Sequence, residues 1–457
     1  MLNRQGLIDF FNLKPAANAL RFVIYASEKS ERLDYACRFI FNHGLKVNYS
    51  IVNNESEFEQ ASGIKINYST KLFQNSLQII PNGLLEEKTL RKEKPQAFFQ
   101  GNMIYLFPSV ESNATTLHFD LFSAVFYCIS RYEEWQEHVK DQHGRFEAAQ
   151  GLFYQNNFHQ KCILEMWLNE LAEKLKPQTA GKQLPERIFK VMSTIDVDNL
   201  FAYRAKGFLR IVGACVKDVI KGDLKNLKER TAVLSGKKQD PFDVYETVSD
   251  FCFEQKIPLI YFFLYRTGTK YDRTVDPDSP AFEEVFEKVI KNHAAIGIHP
   301  SYDASVAPEI LKQELNKIRS KSNKTISFSR QHFLRFNIRT TPRELIDNGI
   351  EVDFSMGFAS EQGLRAGTTL PFYFYDFDNE KSGDLLFVPF CTMDGVFTVY
   401  KNISSEKAFE SMLRFAEEIK SVGGNFVSVF HERSFSDHLY PGFGTLYKNL
   451  HLKLKAL

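Results

Sequence analysis

Apolar runs of strand length alternate with helix-patterned segments along the second part of the chain. The strand-like runs lie at 188–199, 257–266, 296–303, 326–336, 350–356, 385–390 and 425–431. Between them, apolar positions recur with helical spacing at 205–238, 240–256, 281–295, 305–320, 341–349 and 405–421. Strands that alternate with helices predict parallel β-α units, and either an open doubly wound sheet or a closed barrel satisfies the pattern.

The first part of the chain shows a shorter pattern of the same kind. Strands are predicted at 21–26, 46–51 and 102–108, and helices at 30–44 and 120–135. Segment 174–187 carries two prolines, a glycine and few apolar residues, which is typical of a linker. We therefore predict a smaller N-terminal α/β domain of unknown role over residues 1–184 and a second domain over residues 185–457.

Composition and charge exclude several classes of function. A net charge of +1 over 457 residues provides no electrostatic footprint for nucleic acid. No glycine-rich phosphate-binding motif is found, and no apolar run approaches the ~20 residues of a membrane span. The amino-terminal segment lacks the pattern of a secretory signal, and the six cysteines include no C-x-x-C pair. These features predict a cytoplasmic protein in a reducing compartment.

One basic helical stretch, roughly residues 205–238, departs from this even balance of charge. It contains the sequence "KDVIKGDLKNLKER". Its lysines form either a solvated face or a contact with an anionic substrate or a membrane surface.

Polar side chains recur where the predicted strands end. The segment "STIDVDN" places Asp196 and Asp198 one residue apart, so both carboxylates would share one face of a strand. Further along the chain, strand ends carry His299, Arg330, Asp353 and His431. Each alone has an ordinary structural explanation, such as a solvated turn, a satisfied histidine or a neighbouring ion pair. Together they predict one shared site, because parallel α/β folds bind ligands at the carboxyl ends of their strands.

The order of these segments resembles the polysaccharide deacetylases of carbohydrate esterase family four, over roughly residues 188–435. "TIDVDN" resembles the T-F-D-D motif with one residue inserted, and "IPLIYFFL" is similar to P-x-T-F-F. "GIHPSYD" partly matches G-x-H-[ST]-x-x-H, and "RQHF" resembles R-x-P-[YF]. "VDFSMGF" and "FHE" resemble the later aspartate and histidine motifs, and "EQGLRAGTTLP" with the N-terminal domain is similar to divergent bacterial members.

The resemblance implies a distorted (β/α) barrel that removes acetyl groups from N-acetyl or O-acetyl sugars or polysaccharide. Asp198 and His299 would hold a divalent metal, zinc being the first choice, and Asp196 would be the general base. His431 would be the general acid. Two more roles are implied: a backbone N–H near Phe333 would bind the oxyanion, and an Arg330–Asp353 pair would fix the base.

One position departs from the family pattern. The second metal histidine is replaced by Asp303, which we expect to be the third ligand, with His332 and His293 as substitutes. Two carboxylates with one histidine favour harder ions or weaker binding. Arg365 is a candidate contact for an anionic sugar group, and a structural salt bridge is the alternative for it.

Three functions therefore stay open at this point. The first is a metal-dependent deacetylase, which in the cytoplasm would act on a nucleotide-linked or lipid-linked sugar. The second is a carbohydrate-binding protein that keeps the fold without the reaction, which Asp303 favours. The third is a glycosyltransferase that uses the D-x-D pair to hold a nucleotide-sugar metal, against which the histidine and arginine matches argue.

Overall fold

Two β-sheets organise the chain, and the predicted site residues that the structure describes lie at the edge of the larger sheet or in the loops that follow its strands. The computed structural model describes residues 2–16, 20–109, 115–291, 294–322 and 325–457. The strands are β1 (Arg21–Ala26), β2 (Asn48–Val52), β3 (Ile64–Tyr68), β4 (Leu77–Gln78), β5 (Ala97–Gln100), β6 (Met103–Leu106), β7 (Lys190–Val197), β8 (Leu259–Leu264), β9 (Ala295–His299), β10 (Phe328–Ser329), β11 (Val352–Asp353), β12 (Phe372–Asp376), β13 (Lys381–Phe387), β14 (Thr392–Met393) and β15 (Asn425–His431).

Helices follow most of these strands. They are α1 (Arg4–Phe10), α2 (Glu31–Cys37), α3 (Glu55–Gln60), α4 (Leu121–Ile129), α5 (Tyr132–Trp135), α6 (Leu152–Gln155), α7 (Ile163–Leu175), α8 (Phe208–Ile220), α9 (Leu224–Leu234), α10 (Tyr245–Glu254), α11 (Pro280–Lys291), α12 (Pro308–Ser322), α13 (Thr341–Asp347), α14 (Ser405–Ser421) and α15 (Phe443–Ala456). No helix among the described residues combines the length and the apolar character that crossing a bilayer requires.

The larger sheet has nine strands in the order β12-β13-β11-β10-β9-β8-β7-β15-β14 and curls into a half-barrel. All its neighbouring pairs are parallel except β12 with β13. Strand β8 is buried along its whole length, as its continuous apolar run predicts for a strand covered on both faces. The prediction of a barrel-like α/β domain after a smaller α/β domain is confirmed.

Strand register decides which side chains meet at the carboxyl edge of this sheet. His431 at the end of β15 pairs in register with Asp196 on β7. On the other side of β7, Leu264 of β8 pairs with His299 of β9. The shared polarity of the strands therefore brings residues that are far apart in sequence to one edge.

The N-terminal part forms a parallel sheet in the order β2-β1-β3-β4, with the hairpin β5-β6 beside it. Its apolar core is continuous with that of the larger sheet, since one cluster of buried residues includes members of both. Arg32 of α2 reaches across to the Glu380 carboxylate with Nε at 2.9 Å, and the Trp167 indole donates to the carbonyl of Ile104 within the N-terminal part. A division at residue 184 separates the two sheets and stays a prediction.

The buried His451 imidazole is expected to make the protein sensitive to acid. It contacts Ser428 Oγ through Nε2 at 3.1 Å and the Tyr447 carbonyl through Nδ1 at 2.8 Å, and burial lowers its pKa to about 4. Below pH ~6.5 the unfolded chain binds a proton at this residue that the folded chain does not bind. The free energy of unfolding should therefore fall by about 3 kcal/mol between pH 6.5 and 4 through this residue alone.

Denaturant unfolding of the natural protein and of His451→Gln across this pH range tests the point. Glutamine does not titrate, so unfolding of the variant at acidic pH should take up about one proton fewer. The free energy of unfolding of the variant should therefore fall less steeply as the pH is lowered. An unchanged slope would contradict the assignment.

Candidate active site

The two aspartates of the D-x-D pair lie at the end of β7 and have different partners. Asp196 is buried, and its Oδ1 accepts a hydrogen bond from Arg330 Nη1 at 2.6 Å. Asp198 lies just past the strand and lines the same cavity, which has a volume of about 470 Å³. Three histidines also line this cavity: His299, His332 and His431. The structure therefore brings the D-x-D pair, the strand-end histidines and Arg330 together.

Asp198, His299 and His332 form a group with the spacing of a metal site. One ligand atom from each lies within 4.8 Å of the others. Asp198 Oδ1 is 3.4 Å from His299 Nε2 and 3.6 Å from His332 Nε2. The same Oδ1 is buried and has no hydrogen-bond partner among the described residues. A buried carboxylate oxygen without a partner, facing two imidazole nitrogens, is what a cation would satisfy.

Both imidazoles are held through the nitrogen that faces away from Asp198. His299 Nδ1 lies 2.6 Å from the Arg330 carbonyl oxygen, and since that oxygen only accepts, Nδ1 is the donor. His332 Nδ1 lies 2.9 Å from Asp272 Oδ1. Burial lowers the pKa of His332, which favours the neutral ring. Metal-binding histidines are oriented in this way in proteins, with the second nitrogen left to bind the ion.

Asp303, the predicted third ligand, is not in this group. It lies on a 3₁₀ helix, Tyr302–Ser305, that follows β9. The Tyr302 N–H donates to Asp272 Oδ1 at 3.0 Å, so this turn is tied to the carboxylate that also holds His332. His332, one of the two predicted substitutes, is the third member of the group with Asp198 and His299. His293, the other substitute, lies outside the described residues.

His431, the predicted general acid, is fixed by a carboxylate that sequence reasoning missed. Its Nδ1 lies 2.6 Å from Asp394 Oδ1, and its backbone N–H donates to Asp394 Oδ2 at 2.6 Å. Its Nε2 lies 3.9 Å from Asp198 Oδ2. Burial and Arg433 lower the pKa of His431, but Asp394 and Asp198 outweigh them and raise it to about 9. Asp394 directly follows β14, a strand of two residues that no pattern in the sequence predicted.

Arg330 bonds directly to the candidate base rather than to Asp353. Besides Asp196, it donates from Nε to the Phe354 carbonyl at 3.0 Å, and its guanidinium lies 4.6 Å from the centre of the Phe262 ring. Asp353 instead accepts from Ser329 Oγ at 2.6 Å and from the Ser355 N–H at 2.8 Å. Burial raises the pKa of Asp353 to about 6. Among the described residues, Arg330 therefore pairs with Asp196, and Asp353 is held by Ser329 and Ser355; that Arg330 and Asp353 together fix the base stays a prediction.

Glu432 and Arg433, which directly follow β15, also contact the site, and no sequence pattern pointed to them. Arg433 Nη1 donates to Asp198 Oδ2. Glu432 is buried and accepts from the backbone N–H groups of Asp198 at 3.1 Å and Asn199 at 3.0 Å. Burial, with Asp198 nearby, raises the pKa of Glu432 to about 8. These contacts fix the backbone of Asp198 and place a permanent cation on its second oxygen.

Aromatic side chains and the N-terminal part form one wall of the cavity. The Tyr271 and Tyr302 rings stack with centroids 4.0 Å apart, and Phe333 lies against both. Phe333 has a φ of +57°, and its carbonyl accepts from Arg145 Nη1 of the N-terminal part at 3.0 Å. The role of its backbone N–H stays a prediction.

Arg365, the other predicted substrate contact, lies in a buried ion pair. Its Nε donates to Glu134 Oε1 at 2.7 Å, and the same carboxylate accepts from Arg131 Nε at 2.8 Å. Burial raises the pKa of Glu134, but the two guanidinium groups outweigh it and lower the pKa to about 2. Arg365 borders a second cavity of about 410 Å³ beside the first. The geometry matches the structural salt bridge, which was the alternative for this residue.

A larger cavity, of about 1130 Å³, lies away from this chemistry. Linker residues and the amino ends of strands line it, among them Lys190, Lys256 and Gly423. The smaller cavity is the candidate site because it holds the converging titratable groups.

Comparisons with known proteins give a partial family match and distant structural likenesses. Residues 22–180 match a family of unknown function, DUF7033. No curated protein matches the chain. A solved structure of a protein assigned as a polysaccharide deacetylase, from Mycobacterium smegmatis, is 13% identical with a TM-score of 0.38. That match covers 60% of this chain and 86% of the other.

A second solved structure is a CE4 family pseudoenzyme from Bacillus anthracis. It is 8% identical with a TM-score of 0.30 and covers 59% of this chain and 61% of the other. At these values neither likeness bears on the activity of this chain, so the function is argued from the site itself.

Proposed function

We propose that this protein is a metal-dependent hydrolase that removes acetyl groups from acetylated sugars, either polysaccharide or its precursors. The observation that carries the proposal is the Asp198, His299 and His332 group beside a carboxylate held by an arginine and an imidazole held by a carboxylate. A metal site, a base and an acid around one cavity are the components of metal-assisted acyl hydrolysis.

The residues present fit a divalent metal, with zinc as the first choice. Asp198 Oδ1 and the Nε2 atoms of His299 and His332 would hold it, and Asp198 Oδ1 otherwise lacks a partner. Two imidazoles and one carboxylate, with a position left open, form a common ligand set of catalytic zinc. The chemistry such an ion supplies is Lewis acidity, which polarises the acyl carbonyl and lowers the pKa of water to about 7.

Asp196 and His431 would divide the proton transfers between them. The Asp196 carboxylate, oriented by Arg330 at 2.6 Å, would take a proton from the attacking water. His431, with Nδ1 fixed by Asp394, would present Nε2 to the leaving nitrogen or oxygen and give it a proton. Asp353 accepts a hydrogen bond from Ser329, the residue before Arg330, and would help to position the loop that carries Arg330.

The cavity supports a sugar as the substrate. Its volume of about 470 Å³ lies in the usual range for small-molecule sites, roughly 300 to 1,000 Å³. Tyr271, Phe333 and Tyr400 offer aromatic faces beside the polar groups. We propose that Phe333 binds the sugar. Nε of Arg365 already donates to Glu134 in a buried pair, so this nitrogen is not free to bind an anionic group of the substrate.

One observation favours a second candidate function, a carbohydrate-binding protein without the reaction. Arg433 already places a positive charge on Asp198 Oδ2, and this guanidinium would reduce the attraction of the site for a metal.

Acetate release with and without metal separates the two candidates. We expect the purified protein to release acetate from chito-oligosaccharides or acetylated xylan, to lose this activity on treatment with a chelator, and to regain it with zinc, cobalt or nickel. The loss should approach the whole rate, because the ion supplies both the polarised carbonyl and the nucleophile.

Two outcomes would contradict the proposal. Acetate release that is unaffected by the chelator would exclude a metal-dependent reaction. Sugar binding measured by calorimetry, with no acetate released at any metal concentration, would favour the binding protein.

A further inference from the structure

Helix α8 (Phe208–Ile220) turns its apolar face to solvent. Phe208 is 77% exposed, Leu209 86% and Ile220 80%. Val212, Val216 and Val219 are exposed as well. Large apolar side chains exposed singly are ordinary, but a contiguous set on one helix marks an interaction surface.

These six positions form one stripe rather than a scatter. At about 100° per residue, they fall within an arc of roughly 120° on the helix, which is the width of an apolar face that normally covers a core. We call this stripe the α8 face; its residues are Phe208, Leu209, Val212, Val216, Val219 and Ile220.

The opposite side of the helix is the side that packs on the protein. Asp218 is the one buried residue of α8. It accepts from Asn226 Nδ2 and Arg230 Nε of α9, both at 2.9 Å. Helix α11, by contrast, buries its apolar side chains, which are Phe282, Val285, Phe286 and Val289. The buried ion pair of α8 therefore fixes the helix with its apolar face outward.

Basic side chains border the α8 face. Residues 204 to 238 contain ten lysines and arginines and three acidic residues, against a net charge of +1 for the whole chain. Arg210, Lys217 and Lys221 are exposed and follow one another along one flank of the stripe. In the described part of the chain, none of these three forms an ion pair with a carboxylate.

We propose that the α8 face docks on an anionic lipid bilayer, lying in the plane of the interface. An exposed apolar stripe flanked by lysine and arginine suits the interface of one leaflet. The apolar side chains would enter the acyl-chain region, and the cations would contact the negative headgroups. A protein partner would satisfy the stripe alone, whereas the unpaired cations on its flank call for a negatively charged surface.

The segment that carries α8 also borders the candidate site. The proposal that α8 docks on a bilayer does not depend on whether this site is active. Segment 200–240 leaves β7 directly after Asp198 and returns just before Phe242, which lines the cavity. Lys206 Nζ donates to Asn199 Oδ1, at the cavity edge, at 2.6 Å. If the proposed function holds, docking would bring a lipid-linked acetylated sugar to this edge.

Flotation with lipid vesicles tests the proposal on the full chain. We expect the protein to float with vesicles of phosphatidylcholine containing phosphatidylglycerol, to bind pure phosphatidylcholine far less, and to be released as salt increases. Leu209→Ser with Val216→Ser and Ile220→Ser should weaken binding at least about tenfold, since each removes apolar area from the interface. Lys217→Glu with Lys221→Glu should weaken binding to the anionic vesicles by a similar factor.

Matched variants at exposed apolar positions elsewhere control for loss of surface hydrophobicity. Leu72→Ser and Val306→Ser, at side chains that are also exposed, should leave binding unchanged. Circular dichroism and thermal unfolding identify any variant that fails to fold, and the two Lys→Glu changes then give an independent reading.

Three results would overturn the proposal. The first is no flotation with either vesicle. The second is equal binding to neutral and anionic vesicles without any effect of salt. The third is a dimer in solution that Leu209→Ser dissociates, which would make a second copy of the chain the occupant of the α8 face. Flotation does not measure acetate release, so it tests bilayer docking even if the proposed hydrolase activity is absent.

Discussion

His332→Ala is expected to lose bound zinc, whereas Asp303→Ala is expected to keep it. His332 Nε2 lies 3.6 Å from Asp198 Oδ1 and belongs to the group of candidate ligands, and Asp303 lies outside that group. Changes to partners behind a metal ligand already lower affinity by about 10–100-fold, so removing a ligand should cost at least about 100-fold. Metal content after zinc loading and gel filtration, with affinity from competition against a chromophoric chelator, measures the effect.

Two further variants sharpen this test. His299→Ala should behave as His332→Ala does, because both rings present Nε2 to the same oxygen. Asp272→Asn should lower zinc affinity less, by about 10–100-fold, since Asp272 orients His332 and is not itself in the candidate ligand group. Zinc lost from Asp303→Ala and retained by His332→Ala would restore the ligand set implied by the sequence motif. No metal in any preparation would favour the carbohydrate-binding candidate.

The larger sheet could be predicted in part because its central strands are buried on both faces. Strand β8 is a continuous apolar run, which is visible in a single sequence, and β15 is buried along its whole length around an apolar centre. The closure of the sheet was not predictable, since it depends on which strands pair at the two edges, and among the described residues the half-barrel ends at β12 and β14. The segment predicted as a strand over 326–336 pairs only at Phe328–Ser329, because the chain then turns into the 3₁₀ helix His332–Leu334.

Strand ends located most of the candidate site, and loops account for what was missed. Asp198, His299 and His431 meet because parallel strands end at one edge of the sheet. Asp272 lies in a loop far from any strand end, so no periodicity pointed to it. Asp303 was predicted from motif spacing, but the path of a loop is set by tertiary contacts such as that of the Tyr302 N–H with Asp272. His332, in the same short segment as Arg330, joins Asp198 and His299 in the candidate group from a neighbouring loop.

Asp353 and Arg433 illustrate a further limit of the sequence. The residue types in a site can be read from the chain, but their pairing depends on which donor lies nearest in space. Arg330 pairs with Asp196, and Arg433 with Asp198, so each acid of the D-x-D pair has its own guanidinium. This arrangement explains how two carboxylates one residue apart are tolerated at the end of a strand, since each negative charge has a separate partner.

His431→Ala is expected to slow the release of acetate from an N-acetyl sugar by about 10²–10⁴-fold while changing the hydrolysis of p-nitrophenyl acetate little. An amine leaves only with a proton, which His431 would supply, whereas p-nitrophenolate leaves without one. Asp196→Asn removes the base that acts on the attacking water, so it should slow both substrates. Measuring kcat/KM for the two substrates in both zinc-loaded variants gives this comparison.

Asp394 provides the control that ties the effect to proton donation rather than to packing. Its two oxygens hold the ring and the backbone N–H of His431, each at 2.6 Å, so Asp394→Asn should reproduce much of the His431→Ala defect on the amide substrate. The double variant should be no slower than His431→Ala alone, because residues that act as a unit are not additive. Equal losses on both substrates in His431→Ala, with zinc still bound, would show that His431 acts on the water or the metal site and not on the leaving group.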